Sequence, residues 1–156
     1  MARGGYYIMG LDNGITLKLR RPLTDNDFYN AENRELILTH NWRKDPEPNE
    51  DGMYEYEICY WRKCWNIRER ILDILGGDRG DIGGGIYEDL KSNDIIAIAD
   101  QLFILIYNGA EKWDDSIWEY EEVVARLGED IARLGWLVRF IAKNPMQYEI
   151  EFYDSY

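Results

Sequence analysis

At 156 residues, with 46% hydrophobic and 14% aromatic side chains, the chain suits one packed domain over 1–156 and is too apolar for disorder. Its 18 basic and 30 acidic residues leave a net charge of −12, which argues against nucleic-acid backbone binding and against anionic membrane surfaces. Two cysteines, no apolar leader in Met1–Met9 and no bilayer-length apolar run point to a cytoplasmic protein with reduced thiols.

Tyr6–Leu11 and Ile15–Arg20 read as two strands joined by Asp12-Asn13-Gly14, since Asn-Gly between such runs is the strongest short hairpin signal. Ile15, Leu17 and Leu19 alternate with Thr16, Lys18 and Arg20, so one face is predicted buried and the other wet. Pro22–Arg34 is polar and turn-rich. Glu35–Trp42 reads as a third strand, Lys44–Gly52 as a loop, and Met53–Trp61 as a fourth strand by the alternation in its first half. A first helix follows, with Trp65 near its start, Ile67, Ile71, Ile74 and Leu75 at helical spacing, and Gly76-Gly77 as its stop. Asp78–Gly85 is a connector.

Ser92, Asn93 or Asp94 caps a second helix, Ile95–Tyr107, that is apolar on most sides. The third helix is the clearest element. Ile117, Tyr120, Val124, Leu127, Ile131, Leu134, Val138 and Ile141 recur in steps of three and four, ending before Asn144-Pro145. Gly128 and Gly135 weaken it and read as marks of close packing or a bend. Gln147–Asp154 closes the chain as a fifth strand. Strands first, helices next and a strand last predict an α+β fold: an antiparallel sheet of about five strands with three helices on one face.

The most distinctive local sequence is Tyr60–Arg68, at a strand-to-helix junction where unpaired backbone N–H groups favour anions. Arg62, Lys63 and Arg68 bring three cations to an acidic chain, so the functional reading is a phosphate or carboxylate pocket walled by Trp61 and Trp65. The plainer reading makes the tryptophans core and pairs the cations with acids. Cys64 beside Lys63 could serve as a nucleophile with His40, the one histidine, as base; a buried, inert thiol is the simpler assignment. Two cysteines and one histidine leave a structural zinc site without its fourth ligand. The glycines from 76 to 85 lack the Lys-Ser or Lys-Thr pair of a phosphate loop and follow a helix instead of a strand. No cofactor motif, metal set or catalytic set emerges. The adjacent acids Asp114-Asp115, Glu121-Glu122 and Glu129-Asp130 suit a solvated helix face. A regular spacing of carboxylates on one surface would instead imitate the phosphates of DNA.

Met9-Gly10-Leu11-Asp12-Asn13-Gly14-Ile15, Tyr60-Trp61-Arg62-Lys63-Cys64-Trp65 and Phe152-Tyr153-Asp154-Ser155-Tyr156 resemble motifs of a family of small uncharacterised proteins from bacteriophages and bacterial genomes. The resemblance implies a phage or prophage setting, with Met9 as an alternative start and Met1–Ile8 as an extension; it implies no catalytic residue. The function expected first is a non-enzymatic accessory protein that binds another protein, because Tyr and Trp suit interfaces and no catalytic set is present. A binder of a small anion or nucleotide at Trp61–Arg68, with or without catalysis, and an acidic DNA mimic are the alternatives. The stripe over 117–141 could also form a homodimer seam, although packing within the chain is its simpler use.

Overall fold

The computed structural model describes residues 12–38, 47–62, 65–76, 87–108, 120–145 and 148–155. Within them lie four strands, β1 (Asp12–Leu19), β2 (Tyr54–Arg62), β3 (Tyr87–Asp89) and β4 (Tyr148–Ser155). Five helices accompany them: α1 (Asp25–Phe28), α2 (Ala31–Leu38), α3 (Trp65–Ile74), α4 (Ser92–Asn108) and α5 (Tyr120–Lys143). The fold is α+β, with an antiparallel sheet in the order β2-β1-β4-β3.

The two-residue period of β1 decides which side of the sheet is covered. Asn13, Ile15, Leu17 and Leu19 are buried, and the register sets them beside Trp61, Cys59, Tyr56 and Tyr54 of β2. On the other edge they meet Asp154, Phe152, Ile150 and Tyr148 of β4. A register shift at Ile15/Thr16 gives β2 one extra residue, so both Ile58 and Cys59 are fully buried and Trp61 stays on the core face. These side chains form one apolar cluster with Ile67, Ile71, Ile95, Leu102, Leu127, Leu134 and Phe140 from the helices. The opposite face is polar. Lys18 lies there between Glu55 and Glu151, at 3.6 and 3.4 Å.

Several expectations are corrected. Asn13-Gly14 is no hairpin turn: β1 runs straight through it, paired on both edges. Gly14 serves a close approach, since a Cβ there would stand 2.4 Å from the Cys59 carbonyl oxygen and 3.0 Å from the Tyr153 hydroxyl. The partner strand expected at Tyr6–Leu11 lies outside the described residues. Glu35–Leu38, expected to begin a strand, instead completes α2, because the three-residue apolar run Leu36-Ile37-Leu38 suits either structure and the Asn30 side chain accepts from the Asn33 N–H at 2.8 Å. The turn-rich stretch also contains α1, where Asp27 accepts from the Thr24 N–H at 2.7 Å. The sheet therefore has four strands among the described residues where about five were expected, and there are five helices where three were expected. Residues 148–155 form the expected closing strand, next to the short β3 that the sequence did not signal.

Candidate functional site

Trp61, expected at a pocket wall, is fully buried, and its indole N–H donates to Asp130 of α5 at 2.8 Å. Asp130 also accepts from Arg133 at 2.6 Å, and Arg133 reaches the Leu36 carbonyl at 3.0 Å. Burial pushes the Asp130 carboxyl up, against the hydrogen bonds from Trp61 and Arg133. On the other side of β1, Arg68 of α3 donates to Asp154 at 2.5 Å, with 3% and 0% of the two side chains exposed. Asn13 stands between these groups. Its amide donates to the Trp61 carbonyl at 3.0 Å, while its Oδ1 is buried without a hydrogen-bond partner. Trp61 and Arg68 thus belong to a buried polar row across the sheet end. Arg62 is exposed, and Lys63, Cys64 and the Trp65 side chain lie outside the described residues.

Cys59 is buried beside Asp130, and burial pushes its thiol well up, so it stays protonated near neutral pH. His40 and the glycines at 77, 80, 83, 84 and 85 lie outside the described residues. Among the described residues no group of three or more His, Cys, Asp and Glu side chains could hold a metal ion. None of their helices is long and apolar enough to cross a membrane.

The polar face of the sheet carries two tyrosine–carboxylate bonds. Tyr60 donates to Asp12, and Tyr153 crosses over Gly14 to donate to Glu57, each at 2.6 Å. Burial, then the Asp12 contact, pushes Tyr60 up to about 12, and burial with Glu57 raises Tyr153 further. Both hydroxyls therefore remain donors at neutral pH. Glu57 is itself raised, by burial first and then by the nearby Asp12 charge.

The surface feature that stands apart is on α4. Ile95, Ile98, Leu102 and Leu105 enter the core, yet Ile96, Phe103, Ile104 and Tyr107 remain 47%, 58%, 37% and 81% exposed. Steps of seven, one and three residues put these four on one side of the helix. Asp100, four residues after Ile96, is exposed on that side, and α4 contains no Lys or Arg. The sequence showed this helix to be apolar on most sides; its inner face packs against α3 and α5. Arg70 of α3 ties into the helix through Gln101 at 2.8 Å. The regular stripe of α5 is used inside the chain: Leu127, Leu134 and Ile141 are buried in the core, and Ile131 and Val138 pack against it.

No family model matches the chain, and comparison with curated proteins and with solved structures finds no match either.

Proposed function

We propose that this is a non-enzymatic accessory protein that binds another protein through the outer face of α4. The observation that carries the reading is the exposure of Ile96, Phe103, Ile104 and Tyr107 on a helix whose opposite face is core. Leaving such side chains in water forgoes about 25 cal/mol for each Å² of apolar surface, and a partner would recover that. Aromatic anchors such as Phe103 and Tyr107 are also the side chains that dominate interface energetics. Asp100, with no cation on the helix and a net charge of −12, suits a partner whose apolar patch has a basic rim. The motif resemblance supports a phage or prophage setting. It supports nothing about mechanism.

The alternative of an anion pocket at Trp61–Arg68 has less support, because Trp61 and Arg68 are committed to Asp130 and Asp154. DNA mimicry differs from the α4 reading in its salt response: a carboxylate array loses its partner as salt rises, whereas an apolar face keeps it. Capture of partners from a lysate of the protein's own host, at low and high salt, tests the proposal. One protein retained at both salt levels by the wild type and lost by Phe103→Asp supports it. Capture that is indifferent to Phe103→Asp, or that vanishes at high salt, sinks it.

A further inference from the structure

An open cleft of about 570 Å³ lies beside the C-terminal end of α5, with Asp25, Asp27, Tyr29, Arg139, Lys143 and Asn144 among its walls. It is built by aromatic packing: Trp136 of α5 stacks on Phe28 and Phe140, at 5.9 and 5.2 Å between centroids, and donates to the Asp27 carbonyl at 3.0 Å. This locks α1 against α5 and leaves Tyr29 at the rim. Tyr29 holds φ at 71°, where the other positive-φ residues among those described are glycines. Such a backbone costs a side-chain-bearing residue about 1–3 kcal/mol and persists only where its surroundings impose it.

The strained residue places its ring beneath two cations. The Arg139 guanidinium carbon is 3.8 Å from the ring centroid and the Lys143 ammonium 5.1 Å. Neither forms an ion pair with a carboxylate among the described residues, in a chain with 30 acids and 18 bases. The carboxylates on the cleft wall are matched elsewhere. Asp27 takes both Arg21 terminal nitrogens, at 2.8 and 3.1 Å, and Asp25 faces Arg34 at 3.3 Å. The dipole of α5 accounts for a cation in its last turn, but not for two cations stacked on one ring without a counter-charge. A guanidinium stacked by its face keeps its N–H edge free for a forked acceptor, and an ammonium alongside adds a second point charge.

We propose that this cleft binds the dianionic phosphomonoester head of a small molecule, with Arg139 as the forked donor, Lys143 as the second charge and Tyr29 holding both in place. The test titrates inorganic phosphate into the full chain at constant ionic strength, following the Arg139 Nε–H signal by NMR. The expected result is a saturable shift with a dissociation constant of about a millimolar, tightening as the phosphate gains its second charge above a pKa of about 6. Arg139→Gln and Lys143→Gln, both at exposed positions, should each weaken binding about tenfold and leave the melting temperature in place. Glycerol phosphate and a nucleoside monophosphate form separate arms. Equal binding assigns the head group alone, and tighter nucleotide binding adds the base, either of which supports the site. A flat titration, an equal response to acetate, or binding unchanged in the double variant overturns it.

Discussion

Gly14 occupies the point where Tyr153 of β4 crosses the central strand to reach Glu57 on β2. Three strands meet there on the polar face, and a methyl group would strike the Cys59 carbonyl, which is backbone and cannot swing aside. Gly14→Ala should therefore destabilise the protein by roughly 1–3 kcal/mol in denaturant unfolding, the range for overpacking a tight site. An unchanged midpoint would show that the strands separate freely. The sequence displayed this glycine prominently but for the wrong reason. Asn-Gly has a strong turn signature, and nothing local reports that a tyrosine 139 positions later lies across it. Trp61 and Arg68 carried the same ambiguity. Their polar ends suit a ligand or a buried partner equally, and the partners, Asp130 and Asp154, come from distant elements that only the fold brings close.

The helices show where local pattern suffices and where it fails. The long stripe of α5 was legible because repeated three- and four-residue steps leave no alternative period. Glu35–Leu38 was not, since four residues cannot distinguish a helix from a strand and α2 draws its order from Asn30 and from packing of the buried Ile37. Gly128 and Gly135 suggested close packing, yet a Cβ at either position would meet no atom within 4 Å. Both sit in helical backbone on the exposed side of α5. Replacing each with Ala should stabilise the protein by about 1 kcal/mol, additively, because the change restricts the unfolded chain and disturbs no neighbour. A raised melting temperature in Gly128→Ala and a further rise in the double variant would confirm this. Destabilisation would mean that the outer face of α5 is covered in solution.

Charge is the property of the whole molecule that composition made plainest, and its distribution matters more than its sum. Acids crowd the polar face of the sheet, where Lys18 offsets Glu55 and Glu151, while Glu57 is buried enough to hold its proton more tightly than a free glutamate. With a folded pKa above the unfolded value of about 4.3, the folded state binds more protons across that window, so Glu57 lowers stability as pH rises through it. Glu57→Gln keeps an acceptor for Tyr153 and removes the charge beside Asp12. Its stability should gain on the wild type between acidic and neutral pH, measured as the difference in unfolding free energy across a pH series. A constant difference would show that Glu57 titrates as it does in water. The exposed side of α4 was the least legible feature of the candidate site, because an apolar helix surface carries no mark of whether its own chain covers it.

The central claim is that this uncovered side of α4 is a binding surface. Its most direct test compares capture of the host partner by the wild type, by Phe103→Asp with Tyr107→Asp, and by Arg139→Gln with Lys143→Gln as a control in the cleft between α1 and α5. The account predicts that the α4 variant remains folded and loses the partner, while the control retains it. Equal recovery by all three proteins would contradict it.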